Sequence, residues 1–181
     1  MYRTILADPP WYFKMYSEKG KYNANRHYDC MKISDIKRMR PLLDEFADKD
    51  CVLFMWATYP MLPRCIEVME DWGFKYKTVA FTWVKLNKDE SDWMGMGYWT
   101  RANAEICLLG TRGRPKRQDG GVRQLIMSKR REHSRKPDEQ YERIERLVQG
   151  PYLEMFARPP HREGWDVWGN EAEGGLGNVE M

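Results

Sequence analysis

The sequence has 181 residues, of which 42% are hydrophobic, and a formal net charge of +3. This length and apolar content exclude a disordered chain and predict one globular domain, with no signal peptide and no apolar run long enough to span a membrane. Neither the histidines nor the widely spaced cysteines have the spacing of a metal site or a disulfide framework, which favours a cytoplasmic protein with reduced thiols.

Strands and helices alternate along the sequence. Ser34 can cap a helix that runs to about Phe46, and the continuous apolar run 51–57 is typical of a central parallel strand. Two more helices with an apolar face are predicted, one from Pro60 to Gly73 and one from Pro137 to Gly150. The remaining strands are predicted at 4–7, 76–84, 104–109, 152–156 and 165–168, and a loop at 93–101.

This alternation predicts a doubly wound α/β sheet that forms a single domain over residues 1–171. Ligands of such sheets bind at the carboxyl ends of the strands. Asp8 and Arg158 both fall at such strand ends. The Gly-rich residues 172–181 are predicted to form a flexible tail.

Basic charge is concentrated in residues 111–135, which hold nine basic and two acidic side chains. A charge run of this kind is often only a solvated loop. Because this one lies between two ordered elements, we expect it to contact the phosphate groups of a nucleic acid. The contacts predicted there are Arg112, Arg114, Lys116 and Arg117.

The first strand ends in Asp8-Pro9-Pro10-Trp11. This combination suits methyl transfer to the exocyclic amine of a nucleobase, which is a poor nucleophile because its lone pair is delocalised into the ring. The Asp8 carboxylate and the Pro9 carbonyl can accept the amine hydrogens, and the two rigid prolines aim these acceptors. Trp11 offers a face on which an extruded base can stack. The alternative is a plain turn at the end of a strand, since Asp and Pro favour turns.

A cofactor site is predicted in the C-terminal third, because no G-x-G-x-x-G follows any predicted strand. Lys136 precedes a helix, Arg158 ends a strand, and Asn170 and Glu171 close the domain. A lysine can pair with a carboxylate, while Arg, Asn and Glu can bind ribose hydroxyls and an adenine edge. These groups suit S-adenosylmethionine, although each alone is also typical of a surface or turn residue.

The sequence contains, in this order, the segments ADPPW, HYDCM, WVK, YWTRANAEICLLGTRG, HSRKPDEQYERIERL, LEMFAR and GWDVWGNE. In this combination the chain resembles the adenine-N6 methyltransferases, a family that includes the catalytic subunit of the messenger-RNA adenosine methyltransferase and many bacterial and phage relatives. The resemblance implies a Rossmann-like methyltransferase fold with permuted motif order. The catalytic strand comes first in it and the cofactor half last, which accounts for the missing glycine loop.

The resemblance also implies roles for individual residues. The DPPW residues would hold the target amine and the methyl donor, and residues 22–27 would form a mobile lid. Glu105 would pair with Lys136, which would meet the methionine carboxylate of the donor. The catalytic residues implied are Asp8, Pro9, Pro10 and Trp11. The cofactor contacts implied are Lys136, Phe156, Arg158 and Asn170, and the residue chemistry described above adds Glu171. The substrate contacts implied are Tyr28, Lys85 and Glu105, and the charge of the basic segment adds the four cations named above.

DNA is the expected substrate, because the chain has no recognisable RNA-binding module and small members of the family typically modify DNA in prokaryotes and viruses. Two alternatives stay open: the same reaction on RNA, and a non-catalytic nucleic-acid-binding subunit that has lost its donor site. The intact DPPW segment argues against the second. A homodimer is implied by the resemblance alone. Only three residues precede the first strand, so we expect part of the cofactor-site wall that some relatives build there to be absent.

Overall fold

A computed structural model of the protein describes residues 1–12, 30–132 and 135–169. The strands in these ranges are β1 (Tyr2–Ala7), β2 (Ala47–Ala57), β3 (Lys75–Leu86), β4 (Ala104–Arg112), β5 (Leu125–Lys129), β6 (Tyr152–Met155) and β7 (Trp165–Trp168). The helices are α1 (Ile33–Lys37), α2 (Arg40–Phe46), α3 (Leu62–Asp71) and α4 (Glu139–Leu147), and a 3₁₀ turn at Tyr59–Met61 leads into α3. None of the helices in these ranges has both the length and the apolar character needed to cross a membrane.

The strands form a single sheet in the order β5-β3-β4-β2-β1-β6-β7. Neighbouring strands are parallel except around β4, which runs antiparallel to both β2 and β3. The connection 87–103 between β3 and β4 contains no helix, and a chain that returns without a helical crossover pairs in the antiparallel sense. The sheet is therefore mixed, with one reversed strand, as in a Rossmann-like methyltransferase fold.

Helices cover both faces of this sheet, as the alternating sequence pattern predicts. In β2, Leu53 and Met55 face a core shared with α1, α2 and α3, whereas Phe54 and Trp56 face a second core shared with Ile144 of α4. Both faces of β2 are thus buried, which explains why the strand reads as a continuous apolar run rather than as an alternating one.

Two elements differ from the sequence prediction. The helix predicted from Ser34 to Phe46 is broken into α1 and α2, because Pro41 lies in the first turn of α2 and has no backbone N–H to continue α1. The basic segment 111–135 is not one loop, since it contains β5, which pairs with β3 and buries Ile126. Arg112, at the start of the same segment, belongs to β4.

Candidate active site

Five of the predicted site residues meet at the carboxyl edge of the parallel strands. Asp8 directly follows β1, and Phe156 and Arg158 follow β6. Glu105 is the second residue of β4, and because this strand is reversed, its first residues lie at the same edge. Lys136 precedes α4 and reaches this edge from the opposite side of the pocket. The fold therefore brings together residues that are up to 150 positions apart in sequence.

A pocket opens where the sheet edge meets the beginning of α4. Leu6 of β1 pairs in register with Glu154 of β6. Asp8, two positions after Leu6, returns to the same face and lines the pocket. Phe156 follows β6 with φ +61° and packs beside Trp168 against the first core, while it also lines the pocket. The pocket is lined by Leu6, Asp8, Trp56, Glu132, Arg135, Lys136, Asp138, Gln140, Tyr141, Glu154, Phe156, Arg158, Pro159 and Pro160.

A chain of alternating charges runs into this pocket. The ammonium of Lys136 lies 2.7 Å from Asp8 Oδ2 and 3.3 Å from Glu105 Oε2, and Glu105 in turn accepts a hydrogen bond from Lys85. The pairing of Glu105 with Lys136 that the family resemblance implies is therefore present. The side chains of Lys136 and Glu105 are only 8% and 17% exposed. Charges this deeply buried persist only when opposite charges and hydrogen bonds compensate for lost hydration.

The pKa values of this chain follow from that compensation. Burial by itself would raise the pKa of Glu105, but Lys136 and Lys85 outweigh it and hold the pKa below its usual range. Burial would likewise lower the pKa of Lys136, yet Asp8 and Glu105 hold it above the usual range. Lys136 also lies 5.4 Å from the centre of the Trp56 ring, which adds a cation–π contact. Lys136 is therefore a permanently charged group between two carboxylates.

Lys85 supports the site through Glu105, from a position outside the pocket lining. Its ammonium lies 5.1 Å from the centres of both the Trp83 and Trp93 rings, and its side chain is largely buried. With the ammonium held between two indoles and a carboxylate, Lys85 orients Glu105 and is not among the residues that line the pocket. The structure therefore gives this predicted substrate contact a supporting position.

The DPPW turn is held by its own backbone. The carbonyl of Pro9 accepts the N–H of Trp11 at 2.8 Å, and the carbonyl of Pro10 accepts the N–H of Met31 at 2.9 Å. The Trp11 indole is only 6% exposed, packs in the first core and donates its Nε1–H to the carbonyl of Trp56 at 2.9 Å. This corrects the prediction of an open stacking face, because a buried indole tied to a neighbouring strand positions the turn instead.

Two hydrogen-bonded pairs that line the pocket were not predicted as site residues from the sequence. Trp56 donates its Nε1–H to Gln140 Oε1 at 2.7 Å, and Gln140 is only 3% exposed. The hydroxyl of Tyr141 lies 3.0 Å from each carboxylate oxygen of Glu154. One signal for them exists in the sequence: Gln140 and Glu154 are polar residues at inward positions of apolar elements, and buried polar groups need partners.

Glu154 has the most perturbed carboxyl of the pocket. Burial raises its pKa to about 7, the Tyr141 hydrogen bond opposes the rise, and the charge of Asp8 adds to it. No cation of the described residues is paired with Glu154, in contrast to Asp8 and Glu105. The pocket therefore holds one carboxyl group that titrates near neutral pH.

The four predicted phosphate contacts lie at the opposite end of the sheet. Arg112 pairs with Cys51 near the start of β2, and its guanidinium donates to the Trp72 carbonyl and to Asp44. The Arg114 N–H donates to Asp50, and the N–H of Gln118 donates to the last residue of α4. Because β4 is reversed, its end points away from the pocket, and Lys116 and Arg117 follow it there. The cations of the segment at the pocket end are Lys129, Arg130, Arg131 and Arg135.

Three predicted site residues lie outside the described residues, namely Tyr28, Asn170 and Glu171. The predicted lid at 22–27 and the tail at 172–181 also lie outside them. Their assigned roles stay predictions.

The mixed sheet and the DPPW turn at its carboxyl edge define the class of protein, a methyltransferase domain. The MT-A70 family matches residues 2–171, and the chain therefore belongs to the MT-A70 family. The family resemblance and the methyltransferase class predicted from the sequence are confirmed.

Relatives of two kinds support this assignment. The type II methyltransferase M.MunI of Mycoplasma sp. is 32% identical, over 94% of this chain and 77% of its own length. The N(6)-adenosine-methyltransferase MT-A70-like protein of Arabidopsis thaliana is 30% identical over 94% of this chain, and the catalytic subunit METTL3 of Homo sapiens is 29% identical over 96% of it. The chain spans only 24% and 28% of the length of these two proteins.

Proposed function

We propose that this protein transfers the methyl group of S-adenosylmethionine to the N6 amine of adenine in DNA. The observation that carries the proposal is the Asp8–Lys136 ion pair, which stands beside the Pro9 carbonyl at the carboxyl edge of the sheet. It joins the predicted amine-binding turn to the predicted cofactor lysine within one pocket, in a chain of a methyltransferase family.

The lining of the pocket suits S-adenosylmethionine, which combines an amino acid with a nucleoside and supplies an electrophilic methyl group on a sulfonium. Lys136 would hold the carboxylate of the donor, and Arg158 would reach its ribose. Phe156 adds an apolar wall and adopts φ +61°, a left-handed conformation that is unusual for a bulky residue and typical of functional sites. Gly169 packs against this strained backbone, since a Cβ on Gly169 would lie 3.0 Å from Phe156 Cα.

The residues of the chain would act mainly by orienting the target amine. One oxygen of Asp8 is engaged by Lys136, which leaves Oδ1 to accept an amine hydrogen. The Pro9 carbonyl uses one lone pair for the Trp11 N–H and keeps the second for the other amine hydrogen. Two acceptors placed in this way turn the nitrogen lone pair toward the methyl donor, and Asp8 Oδ1 is the group placed to take the proton that the amine releases.

DNA is proposed over RNA because of how the relatives align. The chain covers 77% of a type II methyltransferase, a class that acts on DNA, but only about a quarter of the N(6)-adenosine-methyltransferases. Arg130 is exposed at the pocket end, where a flipped-out base would have to enter and where its guanidinium would contact the flanking phosphates. RNA is the second candidate, because the same amine occurs on both polymers.

The test is transfer of radiolabelled methyl groups to duplex DNA, single-stranded DNA and RNA, followed by digestion to nucleosides. We expect label in N6-methyldeoxyadenosine. Asp8→Asn preserves the shape of the side chain but weakens an acceptor, so turnover should fall at least about 100-fold. Asp166→Asn, on the exposed surface of β7, is the matched control and should retain activity. Label found only in N6-methyladenosine from RNA would show that RNA, and not DNA, is the substrate. Full activity of Asp8→Asn would refute the mechanism.

A further inference from the structure

Gln140 is a buried polar residue in the pocket to which the mechanism above assigns no role. It is the second residue of α4 and is only 3% exposed. Among the residues that the structure describes, Thr4 is the one other polar residue buried to this degree. A buried amide is unfavourable unless it finds a hydrogen-bond partner, so the contacts of Gln140 explain its position.

The partner of this amide is the indole of Trp56. The Trp56 Nε1–H donates to Gln140 Oε1 at 2.7 Å. Because an indole nitrogen can only donate, the amide oxygen must face Trp56. Both side chains are buried, with Trp56 only 1% exposed, so water does not compete for this bond. The bond therefore fixes the Trp56 ring in one orientation.

Trp56 stands between the two halves of the proposed site. Its backbone carbonyl accepts the Trp11 Nε1–H at 2.9 Å, a bond that holds the DPPW turn. Its ring centre lies 5.4 Å from the ammonium of Lys136, the proposed donor contact. On the core side, the ring packs edge-on against Trp83, with 6.4 Å between ring centres. One residue thus contacts both the part that would hold the amine and the part that would hold the donor.

Gln140 and Lys136 belong to one short stretch of chain, because only three residues separate them. The bond to Trp56 therefore fixes the beginning of α4 and, with it, the approach of Lys136 to the sheet edge. Two carboxylates also hold the Lys136 ammonium, so the lysine would stay in the pocket without the Gln140 contact. Loss of that contact would instead change the alignment of the two halves, and a misplacement of about 1 Å can lower a rate about 100-fold.

We propose that Gln140 is a positioning residue that fixes the Trp56 ring and thereby aligns the Lys136 end of the pocket with the DPPW turn. The inference rests on the proposed function, because this alignment affects a rate only if a methyl group is transferred between the two halves. Gln140 then contributes to the rate of transfer more than to binding of the donor.

The first test is the steady-state kinetics of methyl transfer to duplex DNA by Gln140→Leu. This variant nearly keeps the size of the side chain but leaves the Trp56 N–H without an acceptor. We expect kcat to fall at least about tenfold, while KM for S-adenosylmethionine changes less than about twofold. An unchanged kcat, or an effect confined to KM, would overturn the assignment.

Ile144→Val is the matched control for a loss of stability. Ile144 is buried on the same helix and faces the same core as Trp56, so the variant loosens the packing without removing the hydrogen bond. Its kcat should equal that of the natural chain. A fall in kcat as large as that of Gln140→Leu would show that packing, and not the hydrogen bond, sets the rate.

A second test places Gln140→Leu in a Trp56→Phe background. Phenylalanine lacks the N–H donor but keeps an aromatic ring beside Lys136. In this background Gln140→Leu should cause no further loss of kcat, because the two residues act through one bond. A further tenfold loss would show that Gln140 acts directly on a ligand, and would overturn its role as a positioning residue.

The indole N–H signals in a ¹⁵N–¹H nuclear magnetic resonance spectrum test the inference without catalysis. The signals of Trp56 and Trp11 are identified by their loss in Trp56→Phe and Trp11→Phe. In Gln140→Leu we expect the Trp56 signal to move upfield as its bond is lost, and the Trp11 signal to shift because its acceptor carbonyl moves. Neither signal should shift in Ile144→Val.

Unchanged Trp56 and Trp11 signals in Gln140→Leu would overturn the inference while leaving the proposed function intact. Absence of methyl transfer by the natural chain would instead refute the proposed function, and the role of Gln140 in alignment with it. The two failures are distinguishable, because the indole signals report the hydrogen bonds whether or not methyl transfer occurs.

Discussion

At the scale of single residues, the site depends on charges that are buried but compensated. Asp8, Lys136, Glu105 and Lys85 alternate in sign, so each supplies the counter-charge that its neighbour needs. Removal of one member leaves the others as isolated charges in a poorly hydrated place, which costs more than the pair itself contributes. Stability and function are therefore coupled at Lys136.

Replacement of Lys136 by Met should lower the free energy of unfolding by about 3 kcal/mol, because Glu105 loses one of its two cations and Asp8 loses its ion pair. Urea unfolding monitored by tryptophan fluorescence measures this. Lys129→Met is the control, since the pair of Lys129 with Glu90 is exposed and should be worth less than about 1 kcal/mol. Equal stability of the Lys136 variant and the natural chain would contradict the compensation argument.

Glu154 should make the ligand-free protein less stable as the pH rises. Its pKa is about 7 in the folded chain, above the usual value of 4.5, so the folded state favours the protonated form. The stabilisation linked to this proton is complete below about pH 4.5 and is lost as the pH rises to about 7. The charged or titratable groups that share the pocket with it are Asp8, Glu132, Arg135, Lys136, Asp138, Tyr141 and Arg158.

Glu154→Gln removes this titration. Relative to the natural chain, the variant should therefore gain stability between about pH 5 and pH 8, by up to roughly 3 kcal/mol. Thermal unfolding across this range, without ligand, is the measurement. A constant difference between the two proteins at all pH values would show that Glu154 does not titrate near neutral pH.

At the scale of elements, the antiparallel direction of β4 gives the cations of the basic segment different roles. Those at the far end of β4 stabilise the fold, and those at the pocket end are placed to bind nucleic acid. Arg112 lies at the end of β4 that points away from the pocket. Its guanidinium donates to the Trp72 carbonyl at 2.6 Å and to Asp44 at 2.9 Å, and it lies 4.9 Å from the centre of the Phe74 ring. These contacts fasten β4 to the end of α3 and to α2, so Arg112 belongs to the scaffold.

Arg112→Ala should therefore lower the free energy of unfolding by about 1 to 3 kcal/mol, chiefly because the Trp72 carbonyl loses a charge-assisted hydrogen bond. The affinity of the Arg112→Ala variant for DNA should not change. Chemical unfolding and fluorescence anisotropy with a labelled duplex measure the two quantities on one preparation. A loss of DNA affinity with unchanged stability would restore Arg112 as a phosphate contact.

At the scale of the whole molecule, the two ends of the sheet differ in what their cations do. At the far end, the guanidinium of Arg112 is tied to neighbouring elements, whereas Arg114 is held only through its backbone N–H, which donates to Asp50. At the pocket end, Arg130 is exposed and stacks on Trp93, with 4.4 Å between its guanidinium carbon and the ring centre. A polyanion that delivers a base to the pocket would meet this end first.

Arg130→Ala should weaken duplex binding and reduce the slope of log affinity against log salt concentration by about 1, the effect of one lost phosphate contact. Anisotropy titrations at several KCl concentrations give the slope. Arg114→Ala, at the far end of the sheet, is the matched control and should leave both quantities unchanged. Equal effects of the two variants would place the nucleic acid elsewhere.

The sequence by itself determined the class of fold and the chemistry at its centre. Apolar runs at strand length, Pro and Gly at helix ends, and the DPPW turn after β1 are local signals, because each depends on residues a few positions apart. The residue chemistry of the C-terminal third indicated Lys136 and Arg158, the family segments added Glu105 and Phe156, and the structure places these four together with Asp8 at one edge.

Only the tertiary structure decided the direction of β4, the burial of Trp11 and the meeting of Glu154 with Tyr141. The sequence pattern around Arg112 is the same whether β4 runs parallel or antiparallel to its neighbours. Only the direction of the strand shows whether Arg112 lies at the pocket end of the sheet or at the opposite end. An indole suits a stacking face or a core equally well until its neighbours are known. These outcomes depend on contacts between distant segments, and no local pattern encodes how such segments are brought together.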